Sequence, residues 1–142
     1  MGFENPTREE IKQLLENTKI IAVVGLSDNP DRTSYLVSEA IQNKGYRIIP
    51  VNPNAEQILG EKCYASLAEI PHKIDIVNVF RRSEYTVPIA KEAIQVKAKV
   101  LWLQLGVYNE EAALLASEQG ITVIMDRCIK VEDSILLPKR TQ

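Results

Sequence analysis

The sequence predicts a doubly wound α/β domain: a five-stranded parallel sheet between two layers of helices. Three observations predict it. Five short apolar runs alternate with segments of helical periodicity. The runs are apolar throughout, as in strands covered on both faces of a parallel sheet. Glycine, proline or asparagine ends almost every segment.

Thr7 and Glu10 have the spacing of a capping box, and Ile11, Leu14 and Leu15 follow on one face, which predicts a helix over roughly 8–17. The first strand is Ile20 to Val24, ended by Gly25. A helix over 33–44 is marked by Leu36, Val37, Ala40 and Ile41 and stopped by Gly45. Tyr46 to Val51 is the second strand, closed by Asn52 and Pro53. Residues 54–65 read as irregular, and Ser66 to Glu69 as a short capped turn curtailed by Pro71. The third strand is Ile74 to Phe80, followed by a helix over 84–97. The fourth is Val100 to Leu105, ended by Gly106. Asn109 caps the next helix, with Glu110 and Glu111 in its first turn facing the positive end of the helix dipole. Gly120 stops it, and Ile121 to Met125 is the fifth strand. Residues 129–142 are charged and weakly patterned, suited to packing on the sheet or joining a dimer. With right-handed crossovers the result is Rossmann-like, one domain over 1–142 with a core of about 15–130. The expected strand order is 3-2-1-4-5.

Composition narrows the function. A length of 142 residues fits one domain, and 45% hydrophobic with 25% charged residues argues for a folded chain. A net charge of -2 gives no basic field for nucleic acid. No apolar run is long enough to span a bilayer, and the first residues lack the apolar stretch of a secretory signal. Cys63, Cys128 and the single histidine form no metal-ligating spacing, so neither a metal site nor a disulfide framework is expected. A cytoplasmic protein with reduced cysteines is the expectation.

Ligands of open parallel sheets bind beyond the carboxyl ends of the strands, where the winding reverses. That crevice is expected between the strand 20–24 and the strand 74–80. The residues after each strand include Gly25, Leu26, Ser27, Arg32 and Ser34; Asn52 and Pro53; Arg81 and Arg82; Gly106; and Arg127. Four of seven arginines thus stand just past strand ends, which points to an anion at this rim. The bland alternative pairs them with Asp28, Asp31, Glu84 and Asp126. The helix starting near residue 33 adds free amides. A dinucleotide fingerprint is absent, since only Gly25 of G-x-G-x-x-G is present and no acid ends the second strand. The triphosphate-binding G-x-x-x-x-G-K motif is absent too.

Several motifs together do resemble a family. They are Val23 to Ser27 with Pro30, Arg32 and Ser34; Gly45-Tyr46; Val51 to Pro53; Gly60; Tyr64 to Leu67; Asp75 to Phe80; Trp102 to Val107; and Asp126 to Cys128. In this order they resemble the small stand-alone CoA-binding domain proteins, similar in fold to the CoA-binding domain of the succinyl-CoA synthetase α-subunit. The resemblance implies coenzyme A or acyl-CoA as ligand. It implies that the turn at Gly25 and Ser27 brings amides to the CoA phosphates, supported by Arg32 and Ser34. Asn52 and Pro53 would flank the nucleotide, and Phe80, Arg81 and Arg82 would line the cleft. The synthetases have a neutral, proline-rich loop at this last place. The basic pair would suit the 3′-phosphate that CoA has and NAD lacks.

No catalytic constellation is visible. His72 lies at the amino end of the third strand, away from the rim, and so cannot serve a nucleophile there. Cys128 could form a mixed disulfide with the CoA thiol, although as a half-buried apolar cysteine it is structural, the reading preferred from sequence. Trp102 reads as core. Tyr35, Tyr85 and Tyr108 could meet an adenine. The expected function is therefore a non-catalytic carrier or regulatory module. The alternatives are an NADP-binding oxidoreductase-like domain, a protein-interaction subunit with an unused cleft, and a subunit of a larger acyl-CoA synthetase. A small-molecule ligand is expected, with a protein partner or a second copy left open.

Overall fold

The computed structural model describes residues 3–138. The chain runs α1 (Arg8–Glu16), β1 (Ile20–Val24), α2 (Thr33–Asn43), β2 (Arg47–Val51), β3 (Gln57–Ile58), β4 (Glu61–Lys62), β5 (Ile76–Val79), α3 (Thr86–Gln95), β6 (Val100–Leu103), α4 (Glu110–Glu118), β7 (Thr122–Ile124) and α5 (Ile129–Leu136). Five strands form one parallel sheet in the order β2-β1-β5-β6-β7.

That order is 2-1-3-4-5 along the chain, which corrects the expected 3-2-1-4-5. The reason lies in β2. Residues 47 and 51 bond towards β1 (Arg47 N to Lys19 O at 2.8 Å; Gly25 N to Val51 O at 3.2 Å), so Pro50 presents its missing N–H to the other side. A proline is tolerated there only on an edge strand. β5 is buried at every position, as a central strand must be. The crevice between β1 and β5 is nevertheless where it was expected.

Helices α1, α2 and α5 cover one face, burying Ile11, Leu15, Val37, Ile41 and Ile129 against Ile21, Val23, Ile76 and Trp102. Helices α3 and α4 cover the other, with Ala90, Ala93, Ala112, Ala113 and Ala116 letting them approach Val77, Leu101 and Leu103 closely. Two of the three predicted caps form, while Ser66 precedes its short turn (67–69) without a side-chain capping bond. Glu10 N donates to Thr7 Oγ1 at 3.2 Å while Thr7 N donates to Glu10 Oε1 at 2.8 Å. Ala112 N donates to Asn109 Oδ1 at 3.0 Å.

Two segments differ from expectation. Residues 57–62 form a small antiparallel hairpin, pinned by burial of Ile58 and Cys63. Residues 129–136 are a helix whose two acids are buried: Asp133 meets Lys44 at 2.6 Å and the Tyr46 hydroxyl at 2.5 Å, and Glu132 meets Arg8 at 3.3 Å. The charge that made the segment look like a tail holds it down instead. At the far edge, the Asn5 side chain donates to Met125 O and accepts from Met125 N, both at 2.8 Å. Among the described residues, no helix is long and apolar enough to cross a membrane.

Candidate functional site

β1 ends at a turn where any side chain would be strained. Gly25 has φ +87°, and a Cβ there would lie 2.4 Å from the Phe80 carbonyl oxygen. The close approach brings the ends of β1 and β5 together and opens a cleft over the carboxyl rim of the sheet. Asn52 ties the end of β2 to this turn, its Nδ2 donating to Leu26 O at 2.9 Å. The following loop is held by Ser34, whose Oγ accepts from Ser27 N at 3.0 Å. Two further side-chain turns, Asn29 N to Ser27 Oγ and Asp31 N to Asn29 Oδ1, shape it into the start of α2.

The cleft has two lobes that meet at Gly25, Ser27 and Arg81. The smaller, about 430 Å³, is bounded by Leu26, Asn52, Pro53, Asn54, Ala65, Ser66, Ile89 and Glu92. The larger, about 710 Å³, is bounded by Arg32, Thr33, Ser34, Phe80, Arg82, Gln104, Leu105, Gly106, Val107 and Cys128. Each lies within the usual size range of ligand pockets, roughly 300–1,000 Å³. Gly25, Leu26, Ser27, Arg32, Ser34, Asn52, Pro53, Phe80, Arg81, Arg82 and Gly106, named from sequence, all line one lobe or the other.

Three arginines stand at the rim, with Asp31 in the larger lobe and Glu92 in the smaller as its acids. Among the described residues, no carboxylate lies within salt-bridge distance of Arg32, Arg81 or Arg82, and all three are exposed. Arg81 lies over the Tyr85 ring, 5.4 Å from its centroid, and so is oriented without being neutralised. Helix α2 has no side-chain cap at Arg32, leaving its first-turn amides to the larger lobe. Arg127 is different. It pairs with the buried Glu132 at 3.5 Å, and its carbonyl accepts from Trp102 Nε1 at 2.9 Å. It is a strut of α5, which corrects its reading as part of the anion site. Glu132 was overlooked because the last helix was.

Gly106 N donates to Asp126 Oδ1 at 2.7 Å, and Tyr108 N to Ser83 Oγ at 2.9 Å, joining the loops after β5, β6 and β7. Glu110 accepts from the Tyr108 hydroxyl and pushes that phenol above its usual value. Tyr35, in the first turn of α2, packs against the core and lines neither lobe, and Trp102 is buried. His72 stands at the amino end of the sheet, 3.3 Å from Arg47. Burial, with Asp28 adding to it, pushes the Cys63 thiol up. Sequence reasoning missed Ile89 and Glu92, which reach the cleft only through the angle at which α3 packs. It also missed Gln104, which the end of the fourth apolar run could have flagged.

A family profile described as the CoA binding domain matches residues 19–134. The chain belongs to the CoA-binding domain family. It is 54% identical over 133 residues to the uncharacterized protein YneT of Bacillus subtilis, covering 94% of this chain and 98% of that one. It is 28% identical to an ADP-forming acetate–CoA ligase II of Archaeoglobus fulgidus, covering 66% of this chain but only 14% of the ligase. Among solved structures, a hypothetical protein from Pyrococcus horikoshii superposes with a TM-score of 0.90 at 38% identity, covering 96% of this chain and 99% of that one. An acetyl-coenzyme A synthetase of Candidatus Korarchaeum cryptofilum shares the fold, with a TM-score of 0.70 at 22% identity over 80% of this chain and 27% of its own. The family member thus corresponds to one domain of much larger acyl-CoA synthetases.

Proposed function

We propose that the cleft binds coenzyme A or an acyl-CoA and that the domain acts as a non-catalytic carrier or regulatory module. The observation that carries this reading is the trio of unneutralised guanidinium groups, Arg32, Arg81 and Arg82, around one cleft in a protein of net charge -2. Three cations beside an uncapped helix start suit a ligand with several phosphates. CoA carries a diphosphate and a 3′-phosphate, and family membership favours it over NADP. No histidine stands among the residues lining the cleft to serve as a base. The kinship to acyl-CoA synthetases favours a second version, in which the module supplies bound CoA to a catalytic partner.

Thermal unfolding with CoA, dephospho-CoA, acetyl-CoA, NAD and NADP tests this. A ligand present at 100 times its Kd adds about 2.7 kcal/mol of stability if it binds only the folded state. The expected result is a rise in the midpoint with CoA, smaller with dephospho-CoA, and weakened about tenfold in apparent affinity by Arg82→Ala, the loss of one charge-assisted contact. A shift with NADP and none with CoA overturns the assignment.

A further inference from the structure

The larger lobe ends at a corner that the phosphate reading does not use. Gln104, at the carboxyl end of β6, is only 4% exposed and lines the lobe. Its Oε1 accepts from Ile129 N at 3.0 Å, the first amide of α5. That bond fixes the orientation of the side-chain amide, since Ile129 N–H needs an acceptor. The Nε2 end therefore carries the donors, and among the described residues no acceptor meets them. The residue before Ile129 is Cys128, a half-buried free cysteine that caps α5 without a side-chain hydrogen bond and lines the same lobe.

We propose that this corner receives the thiol end of the ligand, and that Cys128 captures oxidised coenzyme A by thiol–disulfide exchange. The inference rests on the CoA reading above. An amide held by its oxygen, with its two donors open to the lobe, suits the amide carbonyls of a pantetheine arm. Arg32 follows β1 and Cys128 follows β7, three strand spacings apart, or about 14 Å across the sheet. An extended pantetheine arm spans that distance. The Cys128 thiolate attacks one sulfur of CoA disulfide, and the Cys128–CoA bond forms as the S–S bond breaks. The second CoA leaves with the electron pair and takes up the proton that Cys128 gave up. CoA disulfide is the only oxidant. Reduced CoA then binds reversibly, and the oxidised pool locks the site until a thiol releases it.

The test is to incubate the reduced protein with CoA disulfide or with glutathione disulfide and follow intact mass and peptide maps. The expected result is one CoA on Cys128, released by dithiothreitol and formed at least about tenfold faster than the glutathione adduct. It is absent in Cys128→Ser and kept in Cys63→Ser. Gln104→Glu retains the acceptor for Ile129 N–H but loses the donor, and slows the exchange. Equal rates for the two disulfides, or modification at Cys63 instead, overturn the proposal. Thermal shift of Cys128→Ser with reduced CoA separates the two readings. A shift there with no adduct in the wild type sinks the exchange and leaves CoA binding standing. No shift in either protein with reduced CoA makes any adduct ordinary thiol reactivity, and both readings fall.

Discussion

Replacing Gly25 by alanine is the most direct probe of how the cleft is built. The added Cβ would lie 2.4 Å from the Phe80 carbonyl oxygen, where real Cβ atoms are not found under 3.0 Å, so the ends of β1 and β5 must part by about 0.6 Å. The φ of +87° adds the usual cost of a side chain in left-handed backbone, about 1 kcal/mol. Forced repacking adds roughly 1–3 kcal/mol, for a total of about 2–4 kcal/mol. Gly120→Ala is the matched control: its φ is +85° but a Cβ there meets nothing within 4 Å, so it carries only the backbone cost. The assay is urea unfolding of both variants at 25 °C, compared at constant m. The expected gap between them is at least about 1 kcal/mol, with CoA affinity reduced only in Gly25→Ala, because Gly25 borders both lobes. If the two variants lose equal stability, the close approach of the β1 turn to β5 is not what restricts position 25, and the reasoning fails.

Further outcomes are expected elsewhere. Asn78, fully buried in β5, has no side-chain partner among the described residues, so Asn78→Leu raises the urea midpoint by the equivalent of about 1 kcal/mol; a loss of stability instead would mean the amide is satisfied. Tyr46→Phe removes a donor from the buried Asp133 and costs about 1–3 kcal/mol in the same assay. Burial alone would raise the Asp75 carboxyl, but amides of Ile20 and Lys19, with Lys99 nearby, outweigh it and hold the group below its usual range. Its folded pKa is depressed, so its contribution is present above the unfolded value of about 3.9 and lost as pH falls through the folded one. Wild type and Asp75→Asn should therefore differ in unfolding midpoint at pH 7 and converge on acidification below about pH 4.

Much of this molecule was legible because its physics is local. Apolar runs too continuous for a half-exposed strand require cover on both faces, and the Thr7 and Asn109 caps require only their own next turn. The rim residues followed from one topological rule, since whatever comes after a parallel strand faces the cleft. Strand order was misread although Pro50 held the answer: a residue without an N–H belongs on an edge, and β2 is one. The last helix was hidden because its anchoring contacts are ionic and distant. Glu132 and Asp133 look solvated in sequence, and only Arg8, Lys44, Tyr46 and Arg127, brought from three other places, make them interior. The partner of Arg127 stood only five residues on, hidden because that segment was read as a tail and not as a helix.

The Asn5 amide bound to both polar groups of Met125 has a consequence for how the protein behaves in a crowd. β7 is an outermost strand, and an outermost strand offers a row of open hydrogen-bonding positions to any other chain. Just past the end of β7, at Met125, Asn5 occupies two such positions with a side chain that mimics a peptide unit but has no next residue to pass the pattern on. At the opposite border, the backbone of Tyr64 meets Pro50 and Asn52, and Pro50 itself has nothing to donate. Each border thus has part of its open backbone taken up from within, which narrows the stretch along which a sixth strand could pair.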